Sequence, residues 1–134
     1  MPFNDLSLLM RRAWWAVGWF GVGLCIYLSL MHNPPTLDVV EGDKLQHIAA
    51  YSVLMLWFAQ LTTEVRQRRV TAALLIGLGI AIEFAQLASG YREFSVADMA
   101  ADAIGVGVGW LLAPPRLPNL LAWAQRITAG AVRN

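Results

Sequence analysis

Asp43, Lys44, His47 and Tyr51 stand together in the stretch DKLQHIAAY, at the head of a long apolar run. On a helix at 100° per residue they fall within one arc of roughly 100°. A carboxylate, an ammonium, an imidazole and a phenol on one face can hold an anion and move a proton. Two later stretches carry groups of the same kind. Glu83 and Gln86 share a narrow helical face with Gly79 and Gly90, and Arg92 follows in a short loop. Ser95, Asp98 and Asp102 then share a face of roughly 80° with Gly105 and Gly109. Charged side chains at mid-membrane cost about 2.5–3.5 kcal/mol each on insertion scales, so each needs a partner or a task.

The chemistry these types fit is phosphate chemistry. Lys44 and Arg92 would hold a phosphate or pyrophosphate head group. His47 would be general base or nucleophile, oriented by Asp43 or Asp98. Glu83 would be the general acid, and Tyr51 a hydrogen-bond donor. The catalytic candidates are therefore His47, Glu83 and Asp98. The binding candidates are Lys44, Arg92, Tyr51, Gln86 and Asp43. A variant with a divalent metal on Asp98, Asp102, Glu83 or His47 lacks a recognised ligand spacing, so no metal is assigned. The sequence names no cofactor.

The elements that position these groups follow from composition. The chain has 134 residues, 57% hydrophobic and 14% charged. Its mean hydropathy is +0.52, too apolar for an ordinary small soluble domain. The expectation is a single all-α membrane domain over 1–134, a bundle of four transmembrane helices with a short C-terminal interfacial helix. The spans fall at about 13–31, 45–61, 70–87 and 96–113, and the tail at 116–130. The first span is about 19 residues, near the ~30 Å hydrocarbon thickness at ~1.5 Å per residue. It exceeds a usual signal-peptide core, and His32-Asn33-Pro34-Pro35 offers no cleavage site, so it reads as retained. Nothing in it looks catalytic. Its tryptophans, like most of the six in the chain, read as interfacial belt residues. In the tail, Leu117, Leu120, Leu121, Ala124 and Ile127 share one face and Arg126 points away, as in a helix lying in the interface.

Cys25 is the single cysteine, which excludes a disulfide framework and a cysteine-based metal site. The net charge is +1 and the basic residues form no groove-like pattern, so no nucleic-acid partner is expected. Their placement sets orientation instead. Arg11 and Arg12, then Arg66, Arg68 and Arg69, then Arg116, Arg126 and Arg133 flank the spans on one side, where they read as topology signals. The first loop is acidic, with Asp38, Glu41 and Asp43. The positive-inside rule puts both termini in the cytoplasm. The DKLQHIAAY stretch and Arg92 then face outward. His47 and Asp98 lie at similar depth, with Tyr51, Glu83 and Asp102 roughly 6 Å deeper. Gly79 backs Glu83, and Gly105 and Gly109 let helices approach closely. These features converge on an outward-opening polar cleft.

In combination, Asp43-Lys44-x-x-His47-x-x-x-Tyr51, Glu83-x-x-Gln86, Arg92-x-x-Ser95-x-x-Asp98 and Gly105-x-x-x-Gly109 resemble the VanZ-like family of small bacterial membrane proteins. The resemblance covers roughly residues 38–113. It implies a polytopic protein of the bacterial cytoplasmic membrane, associated with the cell envelope and linked to low-level teicoplanin resistance. It brings no catalytic assignment. The family usually carries Asn where this chain has Asp102, so no role passes to that position.

Three readings are compatible with these residues. One is a membrane-embedded lipid-phosphate hydrolase or transferase. Another is a non-catalytic binding or transport-accessory protein for membrane lipids, a lipid-linked precursor or a glycopeptide. The third is a structural membrane partner, with Glu83–Lys44 and Arg92–Asp98 as bundle-locking ion pairs and His47 paired with Asp98.

Overall fold

A computed structural model of the chain describes residues 3–36 and 41–132. Its elements are α1 (Phe3–Leu30), α2 (Gly42–Ala59), α3 (Val65–Ser89), α4 (Val96–Leu112) and α5 (Leu120–Val132). Among the described residues there is no strand. Asp38 and Arg133 lie outside them.

Two helices begin earlier than their apolar runs. α1 starts at Phe3 rather than near Ala13, and α3 at Val65 rather than Val70. The added residues include Leu8, Leu9, Met10, Arg66 and Arg68, all good helix formers, so the backbone continues through the arginines that interrupt the apolar runs. α3 ends at Gly90, whose φ of 74° is the left-handed conformation that glycine adopts without steric cost.

Ser7–Leu30 and Val65–Ser89 are long and apolar enough to cross a membrane. α2 and α4 are shorter, 18 and 17 residues, and their first halves carry polar groups read from the sequence, Asp43, Lys44 and His47 on α2 and Asp98 and Asp102 on α4. Four crossings are therefore not established by length and apolarity alone.

α2 and α4 pack most closely, and two glycines make that possible. A Cβ on Gly105 would lie 2.6 Å from the Ile48 carbonyl oxygen and 2.9 Å from the Tyr51 Cβ. A Cβ on Gly109 would meet the Ser52 carbonyl oxygen and lie 2.8 Å from the Met55 Cβ. Between them, Ser52 Oγ donates to the Gly105 carbonyl at 2.9 Å. Gly105→Ala would push backbone against backbone. It is expected to cost about 1–3 kcal/mol, as overpacked cores do. Thermal unfolding in mild detergent would read this loss, and Gly107→Ala, which faces open space, should leave the unfolding temperature in place.

The apolar core runs along α2 through Tyr51, Leu54, Met55 and Phe58, joined by Val22, Leu75 and Val106. Trp14 and Trp57 are a lock rather than a belt. Their rings stack at 4.0 Å, and each indole N–H donates to the other's carbonyl oxygen, at 3.2 and 2.9 Å. Trp15, Trp19 and Trp123 remain exposed. The apolar face read in the tail is divided. Leu121 is buried in the core, while Leu117, Leu120 and Ile127 stay exposed. α5 is held to the bundle by Gln125, which donates to the Ser7 carbonyl. It is also held by Leu120 N–H, which donates to the Gln60 side chain at 2.8 Å.

Candidate functional site

The site lies at the end of the bundle where α1 and α3 stop and α2 and α4 begin. His47 stands early in α2 and Asp102 in the first half of α4. Asp102 Oδ1 lies 2.8 Å from His47 Nδ1, with the side chains 3% and 16% exposed. An ionised carboxylate only accepts, so Nδ1 carries the proton and Nε2 is left to face other groups. Gly79 of α3 makes room for the carboxylate, since a Cβ there would meet Asp102 Oδ2. The glycine expected to back Glu83 thus backs Asp102.

His47 borders a cavity of about 150 Å³, shared with Arg92, Tyr51, Asp43, Gln46 and, from α1, Cys25. Three of its groups are uncommitted. Tyr51 is 1% exposed, and its hydroxyl is buried without a hydrogen-bond partner. Among the described residues, Arg92 makes no hydrogen bond or ion pair, and His47 Nε2 makes no hydrogen bond. A guanidinium and an oriented imidazole beside one space suit an oxyanion.

Glu83, Gln86 and Asp98 do not line this space. Glu83 is fully buried, and its Oε2 accepts the Ser95 N–H at 2.7 Å. Ser95 is the N-cap of α4, and its Oγ accepts the Asp98 N–H at 3.1 Å. In a capping box the third helical residue returns a bond to the cap's N–H. Here Glu83, from another helix, makes that bond. Asp98 is relieved of it, and its Oδ1 is buried without a partner, as is Glu83 Oε1. Gln86 is 2% exposed and donates to the Ser29 carbonyl at 2.8 Å, while Tyr91 donates to the Leu30 carbonyl at 2.6 Å. Both tie down the otherwise unpaired carbonyls at the end of α1.

Lys44 stays outside the cavity. Its ammonium pairs with Glu41 at 2.6 Å and with Asp43 at 3.6 Å. Neither the Glu83–Lys44 nor the Arg92–Asp98 pair is present among the described residues. No group of three His, Cys, Asp or Glu side chains there is placed to hold a metal ion. Lys44→Gln is therefore expected to leave anion binding at the cavity unchanged, which a phosphate-lipid titration would check.

At the opposite end, Arg68 does more than mark topology. It is 9% exposed and donates to the carbonyls of Thr62, Ala59 and Pro114. These lie at the C-terminal ends of α2 and α4, where the helix dipole is negative.

The VanZ/LLP1 family model matches residues 1–121. The chain belongs to the VanZ/LLP1 family. No curated protein matches it, and no solved structure does. Family membership and two helices long and apolar enough to cross a membrane point to a membrane protein. Within this VanZ/LLP1 chain, His47, Tyr51 and Arg92 line the cavity, while Glu83, Gln86 and Ser95 join the helix ends outside its lining. Sequence reasoning passed over Asp102 as a site residue, although its place on the Asp98 face was legible. The matching gap at Gly79, one helix away, was the signal that it packs inward. Cys25 carried no signal at all.

Proposed function

We propose that the protein crosses the membrane four times with both termini in the cytoplasm. Its outward-facing cavity binds the phosphate of a lipid or lipid-linked envelope precursor, and His47 is the group placed to act on it. The observation that carries this reading is that Arg92, Tyr51 and His47 line one cavity, with Arg92 and His47 Nε2 unpaired among the described residues. A phosphate presents several anionic oxygens, which a guanidinium fork and a phenol can share. His47, held by Asp102 through Nδ1, keeps a free nitrogen to take or give a proton. The family's link to teicoplanin resistance is in keeping with a ligand of the envelope.

The crossing count is supported by what the short helices expose. Val53 on α2 and Ile104, Val108 and Leu111 on α4 are exposed apolar residues, while Asp102 turns inward. Their lengths of 18 and 17 residues reach about 26–27 Å at 1.5 Å per residue, just under the ~30 Å core. Arg11 and Arg66 stand at the end opposite the cavity, as cytoplasmic flanks do.

The test is native mass spectrometry of the detergent-purified protein after exposure to a bacterial lipid extract, beside Arg92→Ala. A phosphate-bearing lipid retained by the wild type and absent from the variant is the expected result. Its conversion over time, lost in His47→Ala, would make the protein an enzyme, and retention without conversion a binding protein. Equal lipid in both samples would sink the assignment.

A further inference from the structure

A second polar-to-apolar groove lies at the opposite end of the molecule, between α1 and α3. These two helices run side by side in the same direction. They are pinned together at the cavity end, where Gln86 donates to the Ser29 carbonyl and Tyr91 to that of Leu30. At the basic end a space of about 440 Å³ separates them. Arg11 and Trp15 form one wall, Arg66, Val70 and Leu74 the other, and Phe58 of α2 the floor. The groove is therefore graded. Its mouth carries two guanidinium groups with Thr62, Glu64 and Gln67, and toward Leu74 its lining is apolar apart from Thr71.

The charges at the mouth are available. Arg11 donates one hydrogen bond, to the Leu61 carbonyl at 3.2 Å, and keeps its other donors. Arg66 is exposed and makes no ion pair or hydrogen bond among the described residues. Glu64 also borders the groove, but no ion pair joins it to either arginine. Further in, Leu74 is 68% exposed and Val70 53%, beside the ring of Trp15. Leu74 lies eight residues along α3 from Arg66, about 12 Å at the helical rise. That distance separates a charged head group from the chain beneath it, with an interfacial tryptophan at the boundary.

We infer that this groove holds one anionic phospholipid of the cytoplasmic leaflet, its phosphate on Arg11 and Arg66 and an acyl chain along Trp15, Phe58 and Leu74. Basic pockets between membrane helices on the cytoplasmic side recognise such head groups. The site is separate from the His47 cavity and does not depend on what that cavity binds. Filled, it would wedge between the two longest helices at the end where no side-chain hydrogen bond joins them among the described residues.

The experiment is a lipid titration of the full chain in mild detergent, read by native mass spectrometry. Dioleoyl phosphatidylglycerol is compared with dioleoyl phosphatidylcholine, which has the same chains without the net charge. One phosphatidylglycerol is expected to bind in preference to phosphatidylcholine. The double variant Arg11→Gln/Arg66→Gln is expected to weaken that adduct roughly 30-fold, from two arginine contributions at the membrane surface. Arg12→Gln/Arg69→Gln removes the same charge from the same end, outside the groove, and should keep the adduct. Leu74→Trp keeps both arginines and fills the chain's place, so it should displace the lipid even if the double variant folds poorly. Equal binding of the two lipids would overturn the proposal, as would equal losses in the two double variants. Inorganic phosphate that displaces the lipid at matched concentration would make this a free-anion site instead, which also overturns it.

Discussion

Asp102→Ala is expected to weaken binding of a phosphate lipid at the His47 cavity by roughly 10- to 100-fold while leaving the bundle folded. Asp102 is the group that fixes the His47 ring, through the 2.8 Å contact to Nδ1. A hydrogen bond to a charged partner contributes about 1.5–3 kcal/mol, and each 1.4 kcal/mol is a factor of ten in affinity. Without it the imidazole is free to rotate, and Nε2 no longer holds one position toward the cavity. Asp102→Asn keeps an oxygen that accepts from Nδ1–H, so it should retain much of the binding that alanine loses. The graded order wild type, Asn, Ala separates positioning of His47 from bulk removal of charge. Lipid titration gives the affinities, and thermal unfolding checks that the fold survives. If Ala and Asn bind alike, orientation by Asp102 is not what the site needs.

Arg68→Ala is expected to cost about 3 kcal/mol of stability, the largest single loss outside the core. One guanidinium satisfies the carbonyls of Thr62, Ala59 and Pro114, at 3.0, 3.3 and 2.6 Å. It joins the ends of α2 and α4 with one planar fork. Removing it leaves those carbonyls unpaired, each with a desolvation cost of about 1–3 kcal/mol that water at this end offsets in part. Arg68→Lys restores the charge but not the fork, so it should recover less than half of the loss. The readout is chemical or thermal unfolding in detergent. Arg69→Ala, exposed one residue along, serves as the control and should change little.

These two residues also mark where the sequence was legible. Helix existence was plain from the apolar runs, because burial in lipid or core selects long apolar stretches whatever they pack against. Helix starts were less plain, since Arg11, Arg12 and Arg66 continue a helix by propensity without adding hydropathy. The convergence of polar faces could be argued from periodicity, but the pairing within it could not. His47 had three carboxylates on the facing helices at nearby depths. The choice of Asp102 depended on Gly79, a missing side chain on a third helix. Glu83 read as an acid because a buried carboxylate suggests chemistry. Its role of holding the N-cap of α4 depends on the 2.7 Å bond from Ser95 N–H, a contact no spacing encodes. Arg68 shares its helix face and charge with nothing that distinguishes it from Arg66 or Arg69 in the sequence. Only the convergence of three helix and loop ends singles it out.

Cys25 offers the most direct measurement of the central claim, because the single thiol borders the cavity beside His47 and Tyr51. The rate of its alkylation by a small maleimide would be followed with dioleoyl phosphatidic acid, then with dioleoylglycerol, which lacks the phosphate. Phosphatidic acid should slow the labelling and dioleoylglycerol should not, and Arg92→Ala should abolish the protection. Equal protection by both lipids, or protection that survives Arg92→Ala, would contradict a phosphate site at this cavity.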